Sequence, residues 1–191
     1  PKAVINESRK LKDKNFDIES VKDLRDKTFV TIDGKSAKDF DDAVLGEKDE
    51  HGNLILYVAI ADVARYIDEG SHLDNEAFDR GTSVYFSQRV IPMLPEELSN
   101  DLCSLKPDED RFCVVCKTTV CADGNLSDTS FFEAIINSKS RLTYPTVTRE
   151  IQKKQFKKPY ADSLRVLLEI YKRLKRNRVE RGSLELEVPS Y

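Results

Sequence analysis

A short apolar run in the first third of the chain constrains the fold more than any other feature. Residues 54–60 read Leu-Ile-Leu-Tyr-Val-Ala-Ile, and the preceding Gly52-Asn53 is a typical turn pair. The run is too short for a membrane-spanning helix, which needs about 20 apolar residues. Its continuous apolar character is typical of a strand that is buried on both faces. We therefore predict a central β-strand over Asn53–Ile60, around which a sheet must form.

The other periodic segments predict helices and mostly antiparallel strands. Residues 112–120 and 126–135 flank Ala-Asp-Gly-Asn, a strong hairpin signal. Ser163–Arg181 has apolar residues at helical spacing, with Asp162 as the expected N-cap and Gly182 as the expected stop. Further predictions are strands at Thr28–Ile32, Asp42–Leu45 and Ser183–Val188, a helix at Leu73–Arg80 between a Ser71 cap and a Gly81 stop, a short helix opening at Pro95, and a helix at Pro145–Lys154. The expected fold is α+β, with a largely antiparallel sheet and flanking helices.

Composition divides the chain into two parts. Residues 1–23 are highly charged with weak periodicity, which is typical of a lead-in arm. Residues 24–191 carry the periodic elements and fit one domain. The chain starts at Pro1 rather than at Met and stops directly after the last predicted strand. We therefore expect it to be part of a longer protein, interrupted within a domain.

Four aspartates in a ten-residue window form the main candidate site. They lie between two predicted strands, and we call them the acidic cluster: Asp33, Asp39, Asp41 and Asp42. Two carboxylates about 5 Å apart repel by roughly 3 kcal/mol at an effective dielectric near 20. Such a group is tolerated when it spreads into water or shares a cation, and hard oxygen ligands suit Mg²⁺ or Mn²⁺. The window is thus either a metal site for phosphoryl-transfer chemistry or a solvated acidic turn.

Two familiar metal motifs do not account for the sequence. An EF-hand loop starting at Asp39 would need an oxygen ligand at position 5 and glycine at position 6, where Ala43 and Val44 stand. Cys113 and Cys116 have zinc-knuckle spacing, but residues three apart on a predicted strand face opposite sides, and no second ligand pair follows. We therefore predict free thiols without disulfides. No secretion signal is present, so we expect a cytoplasmic protein that does not insert into membranes.

Charge is unevenly distributed along the chain. The net charge is −3, yet residues 139–181 carry 14 lysines and arginines against 4 aspartates and glutamates. A basic segment beside an acidic metal site is the pattern expected for binding a phosphate backbone. A solvated helix face rich in lysine and arginine gives the same composition, so both interpretations stay open.

Several longer stretches resemble one protein family in the same order. They are TIDGKSAKDFDDAV at 31–44, VAIADV at 58–63, RGTSVYF at 80–86, VIPMLPEELSNDLCSL at 90–105 and SKSRLTY at 138–144. Together they resemble the ribonuclease II/ribonuclease R (RNB) family of exoribonucleases, above all its bacterial ribonuclease R branch. The resemblance runs over about residues 24–182 and corresponds to the N-terminal half of the family's catalytic domain.

The resemblance implies a function and roles for individual residues. It implies a processive, Mg²⁺-dependent hydrolase that degrades single-stranded RNA from the 3′ end and releases nucleoside 5′-monophosphates. It gives catalytic and metal-binding roles to the acidic cluster, and it makes Tyr85 the aromatic residue that packs on the 3′-terminal nucleotide. It also implies further site residues after the end of this chain, including an arginine, and flanking cold-shock and S1 RNA-binding domains. The chain alone is therefore expected to be inactive or nearly so.

Two other functions remain as alternatives. A non-catalytic RNA-binding or scaffold protein on the same fold would be expected to lack some carboxylates of the acidic cluster, whereas all four are present. A structural metal-binding domain would show no salt-dependent affinity for RNA. The basic segment at 139–181 weighs against this last possibility.

Overall fold

A computed structural model describes residues 1–13, 16–86 and 89–183. In these residues, seven strands form one sheet and two strands form a separate hairpin. The strands are β1 (Lys22–Asp23), β2 (Val30–Asp33), β3 (Asp42–Lys48), β4 (Leu54–Ala61), β5 (Val84–Tyr85), β6 (Val90–Ile91), β7 (Asp110–Val120), β8 (Leu126–Asn137) and β9 (Ser140–Thr143). The helices are α1 (Lys2–Lys10), α2 (His72–Arg80), α3 (Tyr144–Lys153) and α4 (Ala161–Glu180).

The large sheet is centred on the predicted apolar strand. Its order is β1-β8-β7-β4-β3-β2-β9, with antiparallel pairing inside and parallel pairing in the outer pairs β1–β8 and β2–β9. β4 lies between β3 and β7, and its Leu54 and Ala59 side chains are fully buried. β7 and β8 form the predicted hairpin. The expected α+β fold with a largely antiparallel sheet is confirmed.

α4 packs across one face of the sheet because β3 provides a glycine at the crossing. A methyl group on Gly46 would lie 2.9 Å from the backbone nitrogen of Leu167 and 3.0 Å from Val166 Cγ1. The Gly46 N–H also donates a hydrogen bond to Ser163 Oγ at 3.1 Å. This close approach fixes α4 against β3, the strand that begins with an aspartate of the acidic cluster.

The start of α4 differs from its prediction. The N-cap is Tyr160, which makes no side-chain capping bond, and the Asp162 carboxylate instead pairs with Arg165 at 2.6 Å. The expected Asp162 cap is therefore wrong. The reason is that the Tyr160 ring is buried and its hydroxyl donates to Glu150, so tertiary packing starts the helix earlier than the capping signal indicates.

The charged N-terminal segment is more ordered than its sequence indicates. α1 packs against α2, where the Glu7 carboxylate accepts a hydrogen bond from the Leu73 N–H at 3.2 Å. Val4 and Leu11 are buried in the core on the sheet face opposite α4. Two apolar residues give weak periodicity, but a helix of this kind is stabilised mainly by its neighbours. The division of the chain at residue 23 stays a prediction.

The remaining elements follow the sequence signals in part. α2 has the predicted Ser71 cap, whose hydroxyl accepts from the Asp74 N–H, and the predicted Gly81 stop at φ +67°. A π-helical turn, Leu98–Leu102, follows Pro95. The strand predicted at Ser183–Val188 falls, after its first residue, outside the described residues. None of the described helices has the length and apolar character needed to cross a bilayer.

Candidate functional site at the acidic cluster

The acidic cluster lies where β2 ends and β3 begins. Asp33 is the last residue of β2 and Asp42 is the first residue of β3, so strand pairing fixes the backbone of both. Asp39 and Asp41 lie on the connection between these strands, residues 34–41, which we call the acidic loop. Two carboxylates thus come from strand ends and two from the loop that joins them.

The aspartates of the cluster influence one another electrostatically. Partial burial raises the pKa of Asp33, and the charge of Asp42 raises it further, against the opposing effect of Arg141. The pKa of Asp41 is raised as well, first by its partial burial and then by the charges of Asp39 and Asp42. Neighbouring like charges that raise the pKa of Asp33 and Asp41 leave an excess of negative potential, which a cation would relieve.

The donor chemistry of the cluster fits a hard divalent cation, although no complete cage is formed. Among residues 1–13, 16–86 and 89–183, no three acidic, histidine or cysteine side chains lie close enough together to hold an ion. Mg²⁺ usually keeps several waters and is bound by one or two carboxylates together with substrate phosphates. The aspartates therefore offer ligands that water and phosphate oxygens would complete.

Asp39 and Asp41 line a cleft together with Tyr85. The cleft has a volume of about 790 Å³, and Asp33 and Asp42 lie outside its lining. Tyr85 comes from the separate β5–β6 hairpin, where it pairs with Val90. The structure thus brings two of the predicted carboxylates and the predicted aromatic residue to one concave surface.

The cleft has an exposed aromatic wall. Tyr85 is 68% exposed and its neighbour Phe86 is 52% exposed, so neither is a core residue. The Arg89 guanidinium lies 5.4 Å from the centre of the Phe86 ring. Bases stack on such surfaces with about 1–3 kcal/mol each, largely without regard to sequence. Sequence reasoning missed Phe86 and Arg89, although Phe86 stands in the stretch RGTSVYF that carries the resemblance.

Two polar residues outside the acidic loop hold it in place. Arg141 of β9 donates from Nη2 to three loop carbonyls, those of Gly34 (3.1 Å), Lys35 (2.7 Å) and Ala37 (3.3 Å). The fully buried Ser104 accepts from the Phe40 N–H at 3.0 Å and donates to the Lys38 carbonyl at 3.4 Å. Sequence reasoning singled out neither residue, although both stand in stretches that resemble the family.

The cysteines form no disulfide, and among the described residues none of them belongs to a group that could hold a metal ion. All four are free, with Cys113 buried on one face of β7 and Cys116 partly exposed, in keeping with the prediction that they face opposite sides. Cys103 lines the cleft, but burial, followed by the charge of Asp41, raises its pKa to about 12. The thiol next to the acidic loop is therefore protonated at neutral pH and is a poor nucleophile.

The basic residues at 139–181 fall into two groups, those that stabilise the fold and those that are left without an acidic partner among the described residues. Arg173 and Arg176 donate to backbone carbonyls at the end of β7 and in the following turn, so their role is structural. By contrast, Arg149, Lys153 and Lys157 surround a pocket of about 300 Å³ and form no ion pair with any described residue. Structural use accounts for part of the positive charge, and these three side chains can attract anions.

Known proteins are similar to this chain in sequence and in fold. The RNB domain family matches residues 21–191. Ribonuclease R of Escherichia coli (strain K12) is 50% identical over 169 residues, which cover 86% of this chain and 21% of the relative.

Solved structures match the fold over nearly the whole chain. The Mycoplasma genitalium RNase R in complex with double-stranded RNA has a TM-score of 0.88 and 34% identity, covering 97% of this chain and 34% of that chain. Its complex with ribose methylated single-stranded RNA has a TM-score of 0.85 and 33% identity, covering 95% and 29%. This chain therefore spans between about a fifth and a third of the relatives it matches. By sequence match and fold together, it belongs to the RNB domain family.

Proposed function

We propose that the protein is an exoribonuclease that degrades single-stranded RNA processively from its 3′ end and releases nucleoside 5′-monophosphates. The observation that supports this most directly is the shared cleft of Asp39, Asp41 and Tyr85. Carboxylates suited to a metal and its phosphate ligands stand on the same concave surface as an exposed aromatic ring suited to a terminal base.

The acidic cluster would bind Mg²⁺, or Mn²⁺, which have the same preference for oxygen ligands. When bound, such an ion neutralises phosphate oxygens and lowers the pKa of water. A carboxylate of the acidic loop accepts the proton that the attacking water loses. The bond from the water oxygen to phosphorus forms and the bond from phosphorus to the 3′ oxygen breaks. The 3′ oxygen takes up a proton from solvent, so that a nucleoside 5′-monophosphate leaves and a shortened RNA with a 3′-hydroxyl remains.

Tyr85 holds the terminal base by stacking. Because stacking needs only a π-face, the interaction tolerates all four bases, which suits an enzyme that degrades RNA without sequence preference. Phe86 extends this surface, and the nearby Arg89 adds a positive charge. The three residues position RNA, and the aspartates act on its phosphate.

The complete activity requires more than this chain. The relatives are about three to four times as long, and the family resemblance implies a phosphate-neutralising arginine further along and additional cold-shock and S1 domains. We propose that the longer protein is a cytoplasmic enzyme and that residues 1–191 alone have little or no activity. The four free thiols are consistent with a reducing compartment.

The test is product analysis with end-labelled single-stranded RNA and the longer protein. With a 5′ label and RNA in excess, the expected result in Mg²⁺ is loss of full-length RNA to a short labelled end product with few intermediates. Chromatography should show nucleoside 5′-monophosphates, and EDTA should abolish turnover. Internal fragments, nucleoside 3′-monophosphates or full turnover in EDTA would contradict the proposal. The chain of residues 1–191, assayed in parallel, should leave the RNA intact.

A non-catalytic RNA-binding role is the second candidate. The observation that favours it is the lack of three converging metal ligands among the described residues. It requires that the longer protein bind RNA with strong salt dependence and leave it intact in Mg²⁺ and in Mn²⁺. The same labelled RNA distinguishes the two functions.

A further inference from the structure

The acidic loop has little hydrogen bonding of its own. Within it, the Ala37 N–H donates to the Gly34 carbonyl at 3.3 Å, a single turn. The Asp41 carbonyl accepts from the Ala61 N–H at 2.9 Å and the Phe40 carbonyl from the Leu105 N–H at 2.8 Å, so backbone bonds to other segments hold only the last two residues of the loop. A loop that carries two mutually repelling carboxylates needs other contacts to keep a fixed path.

Arg141 supplies those contacts on the side of the loop next to β2. Its backbone is fixed because β9 pairs with β2 in parallel, with Arg141 beside Thr31. From this position its Nη2 reaches the carbonyls of Gly34, Lys35 and Ala37. Its guanidinium also lies 5.2 Å from the centre of the ring of Phe40, a buried residue of the loop.

The chemistry of arginine matters at this position. A guanidinium is planar, permanently charged and more weakly hydrated than an ammonium group, so it can bind several carbonyls and stack on a ring at once. The Nε atom of Arg141 is buried without a hydrogen-bond partner. The loop carbonyls and the ring thus hold the side chain, although one N–H donor of the guanidinium stays unsatisfied. A lysine would retain the charge but could not reproduce this geometry.

We propose that Arg141 is a positioning residue for the metal site: it sets the path of the acidic loop so that Asp39 and Asp41 face the cleft beside Asp33 and Asp42. The inference rests on the proposed function of the acidic cluster. Arg141 acts through the backbone of the loop and makes no contact with metal or RNA. Residues that orient metal ligands in this way typically change metal affinity by about 10–100-fold when substituted.

The experiment measures metal binding without RNA. Mn²⁺ is titrated into the longer protein and followed by electron paramagnetic resonance of the free ion, for wild type, Arg141→Lys and Arg176→Lys. The matched control is Arg176 of α4, which also donates to a backbone carbonyl, that of Ala122 in the turn after β7. We expect the Mn²⁺ dissociation constant to rise by about tenfold or more in Arg141→Lys and to stay unchanged in Arg176→Lys.

Two further measurements separate positioning from other roles. RNA affinity in EDTA should be unchanged in Arg141→Lys, and degradation should recover at high Mg²⁺, so that the variant shifts the metal requirement rather than the maximal rate. Loss of RNA affinity in EDTA would show direct phosphate contact and overturn the inference, as would an unchanged Mn²⁺ affinity. If Arg141→Lys fails to fold, Arg141→Gln, which keeps an amide donor for one carbonyl, is measured instead, and the same outcomes apply.

The outcome for the wild-type protein distinguishes the two proposals. If the wild type binds Mn²⁺ and degrades RNA while the Arg141 variants keep the same Mn²⁺ affinity, Arg141 has no positioning role and the proposed function stands. A wild-type protein that binds no Mn²⁺ and degrades no RNA would overturn both.

Discussion

At the scale of single residues, the four aspartates differ in how firmly the fold holds them. Asp33 and Asp42 belong to paired strands, whereas Asp39 and Asp41 depend on a loop that is held through its backbone. The two loop aspartates are also the ones that face the cleft. We therefore expect chemistry to be most sensitive to the loop aspartates.

Asp41→Asn should abolish RNA hydrolysis by the longer protein and leave RNA binding intact. The amide keeps the size of the side chain but loses the charge needed to bind a cation and accept a proton. We expect a fall of at least about a hundredfold in the single-turnover rate, because general acid–base catalysis alone contributes about 10²–10⁴-fold. Asp162→Asn, on the exposed surface of α4, is the control. A variant that retains turnover would remove Asp41 from the mechanism.

Tyr85→Ala should weaken RNA binding without removing hydrolysis. Loss of one stacking surface costs about 1–3 kcal/mol, which corresponds to a rise of about 5–150-fold in the dissociation constant. Tyr171→Ala is the matched control, since Tyr171 is similarly exposed but lies on α4 away from the cleft. Equal effects of the two substitutions in a fluorescence anisotropy titration would argue against a stacking role.

Sequence patterns predicted residues that act through their own side-chain chemistry. Carboxylate spacing and the family resemblance led to the acidic cluster, and the resemblance alone led to Tyr85. Arg141 and Ser104 were missed because they act on backbone carbonyls and N–H groups, which every residue has. No complementary residue type marks their partners in the sequence, so only the folded chain identifies the contact.

At the scale of elements, local sequence signals were enough to predict those strands, turns and helix ends that local forces determine. The apolar run of β4, the turn between β7 and β8 and both caps of α2 are confirmed. α1 and the start of α4 deviate because their stability comes from contacts with distant segments. Packing between elements, such as α4 on β3, has no sequence signal beyond a single glycine in a strand.

Gly46→Ala should destabilise the chain by about 1–3 kcal/mol, the usual cost of overpacking. The added methyl group would meet the backbone of α4 at 2.9 Å, and a helix backbone moves less easily than a side chain. Gly34→Ala is the matched control because nothing lies within 4 Å of the position that its methyl group would take and its φ is not positive. Urea denaturation of both variants measures the difference, and equal midpoints would contradict tight packing of α4.

At the scale of the whole molecule, the acidic cluster lowers the stability of the metal-free protein. Asp33 and Asp41 have pKa values raised by the fold, so the folded state binds protons more readily than the unfolded chain. These two groups therefore make the protein less stable as the pH rises from the ordinary aspartate pKa of 3.8 through their raised values. A bound cation would reverse that effect, because it binds the ionised carboxylates.

Mg²⁺ should raise the melting temperature at neutral pH and lose its effect in acid. At about a hundred times its dissociation constant, a ligand stabilises the folded state by about 2.7 kcal/mol, or about 5–10 °C for a domain of this size. The gain should shrink as the pH falls through the raised pKa values of Asp33 and Asp41, since protons compete for the same oxygens. Thermal melts in MgCl₂, compared with melts in NaCl of equal ionic strength, measure the rise in melting temperature. A rise that persists at a pH where the carboxylates are protonated would contradict binding at this site.

The place of β9 at the margin of the sheet links local opening to chemistry. β9 pairs with β2 on one side and is the last strand in the order, and it carries the arginine that holds the acidic loop. Marginal strands open with less free energy than central ones. Amide hydrogens of β9 and of the loop should consequently exchange together, in one cooperative unit, so that opening of this edge would disrupt the proposed ion-binding surface while β4 and β7 stay closed.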